Sequence, residues 1–219
     1  MTTNLKVESF AIGSYACNCS IIYSETTHEA LVIDPGNDPK TILKRLAALQ
    51  VTVKLFLHTH AHFDHIGGSK ELRDLTGAPI YLHKDDQLLY KSLPMQSMMF
   101  GLPPLQTGPI DHFIQDGEEY GLTDPGLQLF LKAIHTPGHT AGSCSFYTEI
   151  FEHPLLFAGD TLFQGSVGRT DLPGGDFETL KKSIKNRLYT LPRETVVITG
   201  HGPSTTIGDE GRDNPFVHL

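Results

Sequence analysis

Four side chains of types that commonly bind metals lie within six residues of one another. The segment is HTHAHFDHIGG, and its candidate ligands are His60, His62, Asp64 and His65. In an extended chain, residues two apart point the same way, so His60 and His62 can present two imidazoles to one point. Asp64 and His65 follow where the chain bends toward two glycines, and they can face a second point nearby. Because an apolar run at 53–57 precedes the segment, we predict a metal site at the end of a buried strand rather than a solvated loop.

Three later segments repeat this pattern. In each, a predicted strand ends in a glycine-containing turn that delivers one histidine or aspartate. The residues delivered are His139, Asp160 and His201. Strand ends that are distant in sequence can converge at one edge of a sheet, where open α/β proteins place their sites. We therefore expect these three side chains to join the first four.

The resulting five histidines and two aspartates suit two divalent ions. Three imidazoles with one carboxylate make one site, and two imidazoles with two carboxylates make a second, one carboxylate being shared. Asp160 is the natural bridge, because each of its two oxygens can bind one ion. A water or hydroxide held between ions about 3.5–4 Å apart would be a nucleophile at neutral pH.

The elements that must position these side chains are a mixture of strands and helices. Strands are predicted at Lys6–Ile12, Cys19–Ser24, Ala30–Asp34, Val51–His58, Pro79–Leu82, Leu127–Ile134, Ser143–Tyr147, Leu155–Ala158 and Thr195–Thr199. Helices are predicted at 39–49, at 70–75, in a stretch ending at Leu93, and at 177–189. The proline-rich region 94–119 is predicted to be a long loop carrying a helical turn. This mixture, with no linker or repeat, predicts one α/β domain over residues 1–219.

The motifs resemble those of the metallo-β-lactamase fold superfamily over nearly the whole chain, and within it those of the glyoxalase II-like hydrolases. The matching pieces are Thr59–His65, Thr136–Thr140, Gly159–Phe163 and Gly200–Pro203. The resemblance implies a four-layer αββα sandwich with the metals at one edge, between the sheets. It implies that the first ion is held by His60, His62, His139 and Asp160. It implies that the second ion is held by Asp64, His65, Asp160 and His201.

The chain departs from the familiar two-domain glyoxalase II. It stops 18 residues after His201, so we expect the helical domain that helps to hold glutathione to be absent. In this respect it is similar to the compact bacterial glyoxalase II-like proteins. Arg169 stands where the two-domain enzyme has a lysine, and Asp171 stands where that enzyme has a tyrosine. Arg169 is therefore a candidate substrate contact, with a salt-bridged loop residue as the alternative.

The resemblance implies hydrolysis of a glutathione thioester such as S-lactoylglutathione. The implied cofactors are two divalent transition-metal ions, with zinc as the first candidate and iron or manganese as alternatives. Asp64 would be catalytic, orienting the nucleophile. Two divalent ions, two aspartates and one hydroxide sum to about +1, so a small anionic substrate would be attracted. The alternatives are an iron-dependent persulfide dioxygenase, with one iron on two histidines and one aspartate, and a lactonase.

The composition of the chain excludes some classes of binding partner. The 219 residues carry a formal net charge of −8, which leaves no basic surface for nucleic acid, including the tRNA bound by some relatives. No apolar stretch is long enough to predict a membrane span.

Three cysteines and the lack of a secretory signal favour the cytoplasm. The lack of a signal, with aspartate at position 160, also speaks against the secreted β-lactamase branches. Nothing in the sequence indicates the oligomeric state.

Several other side chains are expected to be structural. His58 and His135 are expected to be packed or to support ligands rather than to bind metal. The residues expected in the core are Cys17, Cys19, Cys144, Met98, Met99 and Phe100.

Overall fold

The computed structural model describes residues 4–124 and 127–219. Within these ranges the strands form two six-stranded sheets and a two-stranded ribbon. The first sheet contains, in spatial order, β1 (Leu5–Ile12), β2 (Cys17–Ser24), β3 (Glu29–Ile33), β4 (Thr52–Leu57), β5 (Ile80–His83) and β6 (His112–Ile114). Strands β3 to β6 run parallel to one another. Their carboxyl ends therefore lie at one edge.

The later strands form the second sheet and the ribbon. They are β7 (Glu119–Asp124), β8 (Leu127–His135), β9 (Cys144–Thr148), β10 (Leu155–Gly159), the ribbon strands β11 (Leu162–Phe163) and β12 (Ser166–Val167), β13 (Val196–Thr199) and β14 (Thr205–Thr206). The second sheet has the order β14-β13-β10-β9-β8-β7. Strand β9 runs opposite to β8 and β10, and β10 is parallel to β13. The ends of β8, β10 and β13 therefore share one edge.

That edge meets the corresponding edge of the first sheet. The amide of Cys144, at the start of β9, donates to the carbonyl of Thr59, just beyond β4, at 2.8 Å. The start of β2 forms an isolated bridge between Cys17 and His201, just beyond β13. These backbone contacts bring the turns that follow strands of both sheets into one region.

Helices cover the outer faces of the two sheets. They are α1 (Pro39–Leu49), α2 (Phe63–Ile66), α3 (Ser69–Thr76), α4 (Gln87–Lys91), α5 (Leu93–Met99), α6 (Phe177–Ser183) and α7 (Ile207–Asp213). Ile42 of α1 lies in an apolar cluster with Phe56 of the first sheet. Leu180 of α6 lies in another with Leu156 and Val197 of the second sheet. The order of layers is helix, sheet, sheet, helix, so the predicted four-layer α/β fold is confirmed.

The central strands β2 and β3 of the first sheet are buried on both faces. In β2, Ile21 faces α1, whereas its neighbour Ile22 packs between the sheets with Leu131 and Phe146. This alternation follows from the period of two along a strand. Because both faces are covered, β3 (EALVI) is almost entirely apolar.

The region 94–119 contains more structure than predicted. Helix α5 and strand β6 lie within it, and β7 begins at its last residue. Helix α1, in contrast, follows its sequence signals: Pro39 is its first residue, and the Asp38 carboxylate accepts the amide of Thr41 at 3.2 Å. None of the helices in the described ranges has the length and apolar character needed to cross a membrane.

Candidate metal centre

The structure brings all seven predicted side chains together. Strand β4 leads into the segment that contains four of them, and β8, β10 and β13 lead into His139, Asp160 and His201. They form three overlapping groups whose potential ligand atoms lie within 4.8 Å of one another. The groups are His60, His62 and His139; His60, His65 and Asp160; and Asp64, His65 and His201.

The first group consists of three buried imidazoles. The ring centroids of His60, His62 and His139 lie 4.6 to 4.8 Å apart, and each pair of rings is nearly perpendicular. Nδ1 of His62 lies 2.9 Å from Nε2 of His139. This arrangement directs nitrogen atoms toward a common point, as a divalent ion requires.

The group of Asp64, His65 and His201 lies beside the first and is called the second group from here on; the remaining set, His60, His65 and Asp160, overlaps both. Nε2 of His65 lies 3.2 Å from Nε2 of His201, which in turn lies 3.2 Å from Oδ2 of Asp64. The His65 side chain is fully buried, and that of His201 is partly exposed. The group therefore offers two imidazoles and one carboxylate, with an open side at His201.

Asp160 lies between the two groups and presents a different oxygen to each. Its Oδ2 is 3.6 Å from Nε2 of His139, in the first group. Its Oδ1 is 3.4 Å from Nε2 of His65 and 3.8 Å from Nε2 of His201, in the second. This is the geometry expected of a carboxylate that bridges two ions.

The chemistry of these donors fits metal ions. Nε2 of His60 and Oδ1 of Asp160 are buried without a hydrogen-bond partner, which is unfavourable unless another group binds them. Burial lowers the pKa of His60 well below its usual value, and that of His62 to about 3. Burial alone would raise the pKa of Asp160, but the facing His65 and other imidazoles hold it well below its usual value. His60 and His62 as neutral imidazoles and Asp160 as a carboxylate are in the forms that bind metals, whereas charged neighbours raise the pKa of His65 and His201 against the effect of burial, so these two would release protons on metal binding.

Hydrogen bonds fix the tautomers of two histidines in the first group. Nδ1–H of His139 donates to the backbone carbonyl of Arg169 at 2.7 Å, which leaves Nε2 as the lone-pair atom. The Thr59 hydroxyl donates to Oδ2 of Asp34 at 2.6 Å and therefore accepts from Nδ1–H of His60, at 3.0 Å. The free Nε2 of His60 then faces the group. Such oxygen partners orient metal-binding imidazoles.

Asp34 is a functional residue that the sequence analysis missed. It is buried at the end of β3 with φ of 49°, an uncommon conformation for a residue other than glycine. Its Oδ1 accepts the amide of Thr59 at 2.8 Å, and its Oδ2 accepts Nδ1–H of His65 at 3.0 Å in addition to the Thr59 hydroxyl. One carboxylate thus orients a histidine in each group. The available signal was its position, because Asp34 also ends a predicted strand.

Asp86 joins two ligand-bearing loops and was also missed. Its buried carboxylate accepts the amide of Ala61 at 2.9 Å, the hydroxyl of Thr140 at 2.8 Å and the amide of Gly142 at 2.7 Å. Ala61 lies between two ligands of the first group, and Thr140 follows the third. Asp86 lies in a short 3₁₀ turn far from any motif, so no sequence pattern identified it.

Two glycines are required by close approaches at the metal centre. A Cβ on Gly200 would overlap Oδ1 of Asp160. Gly159, which precedes Asp160, has a positive φ of 50°, and a Cβ there would overlap the side chain of Thr59. Gly200 therefore makes room for the Asp160 carboxylate, and Gly159 makes room for Thr59 of the first sheet's ligand segment.

Arg169 lies next to the first group through its backbone carbonyl. Its exposed guanidinium pairs with Asp171, with Nε–Oδ1 and Nη2–Oδ2 distances of 2.7 and 2.8 Å. Contact between this side chain and a substrate stays a prediction. The structure adds a role for the backbone at this position, which orients His139.

Other side chains near the motifs are structural. His58 is buried, with Nδ1–H donating to the carbonyl of Tyr81 and Nε2 accepting from Ser69. The three cysteines are buried and free. His135 stacks on His83 with ring centroids 4.1 Å apart and only 15° between the planes. Such parallel rings do not direct their lone pairs to one point, although both residues lie near Asp85 in a separate group.

Comparisons with known proteins agree with this geometry. Residues 12–201 match the metallo-β-lactamase superfamily. The hydroxyacylglutathione hydrolase GloC of Haemophilus influenzae is 38% identical over 98% of this chain and 99% of its own. The structure of the BLEG-1 B3 metallo-β-lactamase is 39% identical, with a TM-score of 0.86 over 97% of this chain and 99% of that one. TTHA1623, solved in a di-iron-bound form, is 36% identical, with a TM-score of 0.84 over 96% and 100% of the two chains.

The shared carboxylate predicts the metal content of two variants. Zinc-replete protein is expected to hold about two ions per chain, because seven donors exceed what one ion uses. Asp160→Ala removes a donor from both groups and should retain less than about one ion, whereas His201→Ala should retain about one. Elemental analysis after gel filtration measures this. Asp213→Ala, which removes an exposed partner of Arg212, is the control. Two ions in Asp160→Ala would contradict the bridge.

The role of Asp34 predicts weaker metal binding in Asp34→Asn. The amide nitrogen of asparagine cannot accept from the Thr59 hydroxyl or from His65, so one histidine in each group loses its orientation. We expect metal affinity to fall about 10- to 100-fold, measured by competition with a chromophoric chelator. Asp74→Asn, at an exposed carboxylate paired with Lys70, should change nothing. Equal affinities in the two variants would show that Asp34 does not orient the ligands.

Proposed function

This chain belongs to the metallo-β-lactamase superfamily, and from its metal centre we propose that it hydrolyses a glutathione thioester such as S-lactoylglutathione. The observation that carries the proposal is the carboxylate of Asp160, which faces both groups of donors and completes a dinuclear set. A relative similar over nearly its whole length, GloC, is named a hydroxyacylglutathione hydrolase. That similarity supports the choice of a thioester among the possible substrates.

The side chains around the site match the needs of this reaction. Two bound divalent ions would supply Lewis acidity and lower the pKa of a water molecule. Asp64 is held ionised, because His65 and His201 lower its pKa against the effect of burial. Its carboxylate can orient an attacking water by accepting its hydrogen bond and can receive its proton. A thiolate is a good leaving group, so no separate general acid is needed.

Zinc is the metal that we propose first. The donor set contains imidazoles and carboxylates, which suit zinc and also iron or manganese. TTHA1623, which is 36% identical, was solved in a di-iron-bound form, so iron is the main alternative. The thiol of Cys17 lies 3.4 Å from Nδ1 of His65, on the side of the ring away from the other ligands, and we assign it no metal.

A second candidate is hydrolysis of a β-lactam. The specific observation in its favour is the similarity to BLEG-1, a structure described as a B3 metallo-β-lactamase. In both reactions a water molecule or hydroxide attacks a carbonyl carbon, and both reactions can use the same ions and the same Asp64. The two functions differ in the substrate that is bound, so a comparison of kcat/KM for a thioester and for a β-lactam separates them.

We further propose a cytoplasmic location. All three cysteines are free and buried, which suits a reducing compartment and offers no disulfide that would need an oxidising one.

A combined assay tests the proposed function. Zinc-loaded protein should release thiol from S-lactoylglutathione without oxygen uptake, and Asp160→Ala should lose that activity. A thiol-reactive dye and an oxygen electrode measure the two quantities. Oxygen uptake with glutathione persulfide in iron-loaded protein would indicate a persulfide dioxygenase instead. A higher kcat/KM for a chromogenic cephalosporin than for any thioester would favour the lactamase.

Arg169→Ala is expected to weaken binding of a glutathione thioester and to leave kcat nearly unchanged. A contact made equally in the ground and transition states changes KM alone, and one exposed ion pair is worth about 1 kcal/mol, or roughly fivefold. Steady-state kinetics measure both constants. The matched control is Arg187→Ala, which removes an exposed arginine paired with Asp116. An unchanged KM would assign Arg169 a structural role, and a collapse of kcat would indicate that its loop shapes the metal centre.

A further inference from the structure

Three aromatic rings form a contiguous apolar surface, here called the aromatic rim: Tyr15, Phe63 and Phe100. The ring centroids of Phe63 and Phe100 lie 4.9 Å apart in a stacked arrangement. Tyr15 meets both rings edge to face, at 4.9 and 5.8 Å. Phe63 is buried beneath the other two, whereas Tyr15 is 37% and Phe100 is 44% exposed. Solvent therefore reaches two large apolar side chains at this place.

The aromatic rim is attached to both groups of the metal centre. Phe63 directly follows His62, a member of the first group. Tyr15 lies in the turn between β1 and β2, and the next residue, Ala16, accepts a hydrogen bond from Nδ1 of His201 at 3.3 Å. Ala16 adopts a positive φ of 52°, and its amide donates to Gly13 at 3.2 Å. The turn that carries Tyr15 therefore contacts His201, a member of the second group, through its backbone.

Helix α5 extends the rim. The side chain of Gln96 accepts the amide of Phe63 at 3.2 Å and donates to the carbonyl of Ala61 at 3.3 Å, which ties the helix to the ligand segment. Met99 is the last residue of α5 and directly precedes Phe100 of the rim. Met99 is 76% exposed.

The expectation that this part of α5 belongs to the local core is therefore wrong. Met98 is also 61% exposed. The buried side of α5 carries Leu93 and Ser97, whereas Met98 and Met99 lie on its exposed side.

We propose that the aromatic rim and Met99 bind an apolar acyl group of the thioester, so that the enzyme prefers alkyl or aryl acyl chains to short polar ones. This inference rests on the proposed thioester hydrolysis, and S-lactoylglutathione would then be hydrolysed with a lower kcat/KM than thioesters of longer apolar acids. Glutathione itself carries two carboxylates and an ammonium group, and these do not match a surface of three aromatic rings and a methionine. The acyl group is the part of the substrate that can be apolar, and it adjoins the carbonyl that reacts at the metals.

The side chains indicate what kind of acyl group fits. Aromatic rings cover apolar carbon through their faces and edges. Methionine is unbranched and adapts to different shapes, so Met99 favours a range of chains rather than one. Each methylene buried on binding increases affinity by about fourfold. We therefore expect S-hexanoylglutathione to exceed S-acetylglutathione in kcat/KM by at least about tenfold.

The test compares acyl chains in the zinc-loaded enzyme and its variants. Thiol release gives kcat/KM for the S-acetyl, S-lactoyl and S-hexanoyl thioesters of glutathione. Tyr15→Ala and Phe100→Ala should each reduce the hexanoyl-to-acetyl ratio by roughly fivefold or more, because each removes part of the apolar surface. Phe113→Ala, at a ring of similar exposure on strand β6, should leave the ratio unchanged. A hexanoyl-to-acetyl ratio near one in the wild type would overturn the inference, and so would variants that lower kcat/KM equally for all three thioesters.

A binding experiment separates failure of the inference from failure of the proposed function. S-methylglutathione and S-hexylglutathione are not hydrolysed, and isothermal titration calorimetry measures their binding even if no thioester is a substrate. Tighter binding of the hexyl compound, lost in Phe100→Ala and retained in Phe113→Ala, would support the rim as an apolar site. Equal binding of the two compounds by the wild type would overturn it.

Discussion

The site depends on one buried carboxylate that faces imidazoles on both sides. Asp160 has imidazoles on both sides, and its Oδ1 and the Nε2 of His60 are buried without a hydrogen-bond partner. Two divalent ions would bind both atoms and compensate the buried negative charge. The two-sheet fold serves this arrangement, because it places the ends of β4, β8, β10 and β13 in one region.

Around this carboxylate, a second layer of hydrogen bonds holds the donors before any ion binds. Asp34 sets His65 directly and His60 through Thr59, while Asp86 ties the loops on either side of the first group. Donors held in advance need little reorganisation when metal binds or when charge develops during the reaction. The left-handed conformation of Asp34 is consistent with this, because backbone strain is tolerated where the surroundings fix a functional residue.

Much of the site could be predicted from the sequence because its ligands follow the ends of strands. Apolar runs and glycines indicate where in the sequence each of these strand ends lies. The same rule applied to Asp34 would have found it. Asp86 and the backbone carbonyl of Arg169 could not be found this way, since their roles come from tertiary hydrogen bonds without a local pattern. Only a helical turn was predicted where α5 lies, because the surrounding prolines favour a loop. Met99 and Phe100 were assigned to the core because composition does not reveal which face of a short helix is covered.

Anomalous diffraction from crystals of the metal-loaded protein tests the central claim most directly. Maps recorded on both sides of the absorption edge of the bound metal should show two peaks. One should lie among His60, His62 and His139, the other among Asp64, His65 and His201, with Asp160 contributing one oxygen to each. A single peak in metal-replete crystals, or two peaks with Asp160 bound to only one of them, would contradict the account.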